Sequence, residues 1–185
     1  MEDHGRLDIL VNNAGGAPEA EAASASPRFH EKIVQLNMLA PMHLSQLANQ
    51  VMQEQPEGGS ITSITSVSGH RPSPGTAAYG AAKAGLISWT QSTAVEWAPK
   101  VRVNTVSAGM VMTERAEQHF GTGELLGRVE GTVPLGRLAA PVEIGHACVY
   151  LASSMASYVT GTDLVVHGGG EWPSFYTVTH DQQEK

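Results

Sequence analysis

The sequence predicts an α/β domain, a parallel doubly wound sheet of about four strands with helices on both faces. Short apolar runs end in turn residues, as buried parallel strands do. Longer Ala-rich or amphipathic stretches separate them, and the regular alternation of the two is the pattern of βαβ units. At 185 residues the chain has the length of one domain, usually ~100–200 residues.

The elements follow in order. Residues 7–11, Leu-Asp-Ile-Leu-Val, form the first predicted strand and run into the turn Asn12-Asn13-Ala14-Gly15-Gly16. Residues 17–27 are small and polar and lead as a loop into a helix over 28–53, which contains Pro41. A proline has no N–H to give the carbonyl four residues back, so the helix should kink at Asn37, leaving its carbonyl open to a water. Residues 60–65, rich in Ile and Thr, read as the second strand, and residues 77–97 as an Ala-rich helix ending near Pro99. The third strand is 101–106, followed by a loop containing Gly121, Gly123 and Gly127. A helix over 142–153 leads to the fourth strand at 164–166, closed by Gly168-Gly169-Gly170. With neither an internal repeat nor a linker, 1–185 reads as a single domain with a C-terminal tail at 171–185.

Composition narrows the function classes. Eleven basic against 18 acidic residues give a net charge of -7, which offers no footprint for a phosphate backbone and makes nucleic acid an unexpected partner. No run of ~18 apolar residues appears, so no membrane span is expected. The N-terminal residues do not have the basic-then-apolar form of a secretory signal. The single cysteine, Cys148, rules out a disulfide framework and suits a reducing cytoplasm. The eight histidines show no metal-ligand spacing.

The chemistry-bearing residues are Tyr79 and Lys83, four apart on one face of the Ala-rich helix. Thirteen residues earlier, Ser66 stands at the carboxyl end of the second strand, where open parallel sheets bind ligands. A Tyr-x-x-x-Lys pair alone is ordinarily a packed tyrosine beside a surface lysine. Here it is joined by Ser66, by Asn37 upstream and by the turn Asn12-Asn13-Ala14-Gly15, and in that order and spacing the sequence resembles the short-chain dehydrogenase/reductase family. The segments Arg102-Val103-Asn104 and Pro134-Leu135-Gly136-Arg137 extend the likeness, which runs over residues 7–170.

The resemblance implies a Rossmann-like sheet, NAD or NADP as cofactor, and hydride transfer to a ketone or from a secondary alcohol. It implies Tyr79 as general acid/base, Lys83 as its tuner and ribose ligand, Ser66 as donor to the substrate oxygen, and Asn37 as support of a proton-passing water. Asn12, Ala14 and Gly15 would line the adenosine side, and Gly109, Val111 and Thr113 would approach the nicotinamide. Ala108 stands where the family has proline, so that loop should be less rigid. The helices of Asn37 and Tyr79 would form a subunit interface, making a homo-oligomer the expected partner.

Free tyrosine, with a pKa of ~10, is a weak base at neutral pH. An ammonium ~4 Å away at an effective dielectric of ~20 would favour phenolate by up to ~4 kcal/mol, bringing Tyr79 to roughly 7. Met110, Met112, Phe120 and Leu125 suggest an apolar substrate. The run Gly121-Thr122-Gly123-Glu124-Leu125-Leu126-Gly127 spells a phosphate loop but follows no strand, so it reads as a mobile substrate lid. His167-Gly168-Gly169-Gly170 spells a hydrolase oxyanion motif without any Gly-x-Ser-x-Gly to serve.

A full dinucleotide site also needs a glycine-rich turn in a first βαβαβ half, with a residue beyond it that chooses between NAD and NADP. Only six residues precede Leu7, so the expectation is an N-terminally truncated form carrying the catalytic half, its first strand an exposed apolar edge. The alternative from another class is a catalytically inactive fragment that serves as a binding or oligomerisation module.

Overall fold

The computed structural model of the chain describes residues 4–180. Its strands are β1 (Ile9–Asn12), β2 (Gly59–Ser66), β3 (Val101–Ala108) and β4 (Asp163–Val166), paired in the order β1-β2-β3-β4 and all parallel. Ile9 lies opposite Ser60, Gly59 opposite Val101, and Thr105 opposite Asp163. Between β1 and β2 run α1 (Pro27–Val34), a π-helical turn (Gln35–Leu39) and α2 (Ala40–Glu54). A 3-10 turn (Val67–Gly69) and α3 (Ala77–Trp97) connect β2 to β3. Beyond β3 come α4 (Ala116–Phe120), α5 (Gly123–Glu130), α6 (Pro141–Ala152), a 3-10 turn (Ser154–Ala156), β4 and α7 (Ser174–His180).

Strand side chains alternate between faces, and the core divides accordingly. Ile61, Val101 and Val103 pack with Ala48 and Met52 of α2 and Ala94 of α3. Val106 packs on the opposite face with Ile144, Ala147, Cys148 and Leu151 of α6, where Ile64, Leu164 and Val166 join it. The sheet is therefore covered on both faces, as the alternating pattern predicts. β1 forms one edge, and Ile9 and Val11 are 49% and 41% exposed there, matching the expected apolar edge.

The structure refines three expectations. The helix expected over 28–53, distorted at Asn37, runs without a gap from Pro27 to Glu54, and its distortion is the π-helical turn between α1 and α2. In that turn the Ala40 N–H reaches back five residues to the Gln35 carbonyl, just ahead of Pro41. The glycine-rich loop after β3 contains α4 and α5. Gly121, at φ 78°, ends α4 and Gly123, at φ 56°, opens α5, so these glycines bound short helices. The expected tail at 171–185 contains α7; residues 181–185 lie outside the described residues.

Candidate active site

β2 delivers Ser66 at its carboxyl end, and α3 delivers Tyr79 and Lys83 from its first two turns. Two glycines permit the approach. A Cβ on Gly80 would lie 2.7 Å from the Ser68 carbonyl oxygen, and one on Gly69 would lie 3.0 Å from the Ala84 nitrogen. The bare backbones let the turn after Ser66 lie flat on α3 beside Tyr79. Ser73 fastens that turn through hydrogen bonds to Ser68 Oγ at 3.1 Å and with Thr76 Oγ1 at 2.6 Å.

Lys83 is buried, and its ammonium donates to the Ile64 carbonyl at 2.8 Å and lies 5.6 Å from the centre of the Tyr79 ring. Burial lowers its pKa to about 8, because a desolvated cation is the costlier form. Burial likewise pushes the Tyr79 phenol upward, while a hydrogen bond with Ser66 pulls it the other way. The expected fall of Tyr79 to roughly 7 is thus replaced by a rise, since desolvation dominates.

Asn37 sits fully buried in the π-helical turn. Beside that turn Asn37 Nδ2 donates to the Ile33 carbonyl one turn back, at 2.9 Å. The same amide donates to the Gly16 carbonyl at 2.8 Å, while Oδ1 accepts the Gly16 N–H at 2.8 Å. The 15–16 turn is thereby fixed to the helix. A Cβ on Gly15 would fall 2.8 Å from Asn37 Oδ1 and 3.2 Å from Lys83 Nζ, so Gly15, Asn37 and Lys83 meet at one point. Asn12 is turned inward, donating to Ser45 Oγ at 2.9 Å and Ser63 Oγ at 3.1 Å. It anchors the turn, while Ala14 and Gly15 stay at the surface.

Gly109, Val111 and Thr113 lie on the segment after β3, fastened to other partners. Gly109 donates to the Val166 carbonyl at 2.9 Å and packs against His167. Val111 bridges Ala139, and Met112 donates to the Ala139 carbonyl at 2.8 Å. The segment is pinned despite Ala108 in place of proline. A cavity of about 400 Å³ opens between it, the Ser66 turn and the end of β4, lined by Val67, His70, Arg71, Met110, Val165 and His167 among others. Across it Arg71 pairs with Glu171 at 2.6 Å. The residues that sequence reasoning missed here are His70 and Asp163, joined at 2.8 Å; 93 residues apart in the chain, they left no local signal.

The donor set fits the nicotinamide-ribose end of a dinucleotide. Among the described residues Lys83 Nζ makes one hydrogen bond, leaving two N–H groups for a diol, next to the bare backbone of Gly15. No group of three or more His, Cys, Asp or Glu suited to a metal ion occurs among the described residues, nor is any described helix long and apolar enough to cross a membrane.

A parallel sheet with helices on both faces, with Ser66 at a strand end and Tyr79 and Lys83 on the helix beside it, defines a class, and comparison with known proteins agrees. A family model described as enoyl-(acyl carrier protein) reductase matches residues 1–171. The chain belongs to the short-chain dehydrogenase/reductase family. It is 38% identical over 170 residues to an uncharacterized oxidoreductase of Mycobacterium tuberculosis (strain CDC 1551 / Oshkosh), covering 92% of this chain and 65% of that relative. It is 36% identical to the L-rhamnose 1-dehydrogenase (NAD(P)(+)) of Azotobacter vinelandii, covering 91% and 66%. With the 3-oxoacyl-[acyl-carrier-protein] reductase of Thermotoga maritima the identity is 33%, covering 91% and 68%. A solved short chain dehydrogenase/reductase family protein superposes with a TM-score of 0.81 at 38% identity, covering 91% of this chain and 69% of that one. The chain spans about two thirds of the length of most of these relatives, and 30% of a short-chain type dehydrogenase/reductase of Sinorhizobium fredii.

Proposed function

We propose that this chain supplies the catalytic half of a Rossmann-type domain that moves a hydride between NAD or NADP and a ketone or secondary alcohol. The observation that carries the reading is the meeting of Ser66, Tyr79, Lys83, Asn37 and Gly15 at one end of the sheet. A bound nicotinamide supplies or accepts the hydride. Tyr79 holds the proton at its phenol oxygen; raised by burial, it is neutral at ordinary pH and ready to protonate an alkoxide. Ser66 donates to the substrate oxygen, where charge develops. Lys83 orients the ribose with its spare donors, and Asn37 holds the Gly16 turn while its carbonyl, denied a partner by Pro41, takes a water.

The substrate body is proposed to be apolar, a reading supported by Met110, which lines the cavity together with Val67 and Val165. Assembly into a homo-oligomer through α2 and α3 is supported by Leu44, Leu47 and Val95, which are 52%, 60% and 80% exposed there.

Titrating the chain, and a longer form that carries a glycine-rich first half, with NADH and NADPH while following nicotinamide fluorescence tests the reading. Binding and turnover by the longer form support it. Binding by neither form favours an inactive interaction module.

A further inference from the structure

We infer that His70, locked onto Asp163, is a positioning residue that sets the Ser66 hydroxyl, an inference resting on the reading of Ser66 as a reaction residue. Asp163 opens β4 with a side chain only 10% exposed. A buried carboxylate must be well paired, and this one is. Its Oδ1 accepts from Thr105 Oγ1 at 2.5 Å, Ser107 Oγ at 3.0 Å and Thr65 Oγ1 at 3.3 Å, while Oδ2 lies 2.8 Å from His70 Nε2. His70 Nε2 also lies 3.0 Å from Ser107 Oγ, which is 2.7 Å from Thr65 Oγ1.

The backbone ladder already fixes the register of β2, β3 and β4, so the network adds little to strand pairing. His70 is its one member from outside the sheet. That residue ends the 3-10 turn which Ser66 begins. Within the turn Ser66 Oγ accepts the Ser68 N–H at 3.2 Å, and the N–H groups of His70 and Arg71 both donate to the Val67 carbonyl, at 2.9 and 3.2 Å. Residues 66–70 thus form one short rigid piece. Its middle lies on α3 through Gly69, and its far end is tied to the sheet through His70. Releasing that end lets the whole turn rock, and the Ser66 hydroxyl moves relative to Tyr79.

Two experiments test this. The first reads amide hydrogen exchange across residues 66–71 by mass spectrometry in the chain itself, for wild type, His70→Ala and His70→Gln. Faster exchange confined to this segment in His70→Ala, restored by His70→Gln, whose amide can still reach Asp163, is the expected result. Wild-type exchange in His70→Ala overturns the inference whether or not the chain turns over. The second is a double-mutant cycle in a form with turnover. His70→Ala should lower kcat by about 10-fold through misplacement of Ser66, with cofactor affinity unchanged, and should add nothing to the loss in Ser66→Ala. Additive losses overturn it. Tyr79→Phe in the same series separates the two readings, because near-normal turnover there sinks the dehydrogenase reading while leaving the exchange result to judge His70. Should His70→Ala fail to fold, Asp163→Asn takes its place in both experiments.

Discussion

The Lys83 ammonium lies 5.6 Å from the centre of the Tyr79 ring and donates a hydrogen bond to the Ile64 carbonyl, 2.8 Å away. The two ionisable groups of the site are neighbours, and burial pushes each toward its neutral form. Phenol goes up and ammonium comes down.

For the phenol the consequence is spectroscopic. The difference between absorbance titrations of the wild-type chain and Tyr79→Phe, both free of cofactor, should show no phenolate from Tyr79 until above pH 10, the ordinary tyrosine value. A phenolate signal near neutrality would mean that Lys83 outweighs burial.

Lys83 makes stability depend on pH. Its pKa falls from 10.5 unfolded to about 8 folded. Between those values the unfolded chain holds a proton that the folded chain has released, so raising the pH through the window stabilises the fold. Below pH 8 the buried charge costs about 3 kcal/mol. In urea denaturation the wild-type chain should gain about 2 kcal/mol relative to Lys83→Met between pH 7 and pH 10. Parallel profiles for the two proteins would contradict the lowered pKa.

Asn37 joins the π-helical turn to the Gly15–Gly16 turn through two hydrogen bonds with Gly16, and a third ties its amide to the Ile33 carbonyl of α1. Asn37→Ala leaves the Gly16 and Ile33 groups without these partners and should cost about 2–3 kcal/mol, read as a lower denaturation midpoint. Asn37→Asp should cost more, since it sets a buried carboxylate against two carbonyl oxygens. An Asn37→Ala chain as stable as wild type would show that the turn is held by other contacts.

Much of this arrangement is legible in the sequence because it is written locally. The strands at 60–65 and 101–106 and the helix at 77–97 follow from apolar runs, Ala content and Pro99, and the structure places them within two residues of those bounds. Pro41 announces a distortion of its helix, although not that the distortion is a π-helical turn whose Asn37 side chain bonds Ile33 and Gly16. The glycines at 121, 123 and 127 read as loop-formers, yet two of them only cap short helices, and their local signal is the same in either setting. His70 and Asp163 meet through sheet topology alone, so no spacing along the chain betrays them. The rise of Tyr79 was equally hidden, because burial depends on the assembled pocket while the four-residue spacing to Lys83 does not.

Ser66→Ala should slow turnover by on the order of 10²-fold or more, the usual loss of one oriented donor at a developing oxyanion, with cofactor affinity held. Steady-state kinetics in a form with turnover reads it, and an unchanged kcat would remove Ser66 from the chemistry.

The most direct measurement is the turnover of Tyr79→Phe beside its cofactor dissociation constant. If Tyr79 supplies the proton, kcat falls by about 10²–10⁴-fold while the dissociation constant stays within a few-fold of wild type, because the phenol acts in the transition state and contributes little to cofactor binding. Near-normal turnover with an unaltered pH profile would make Tyr79 a packing residue and contradict the proposed reaction.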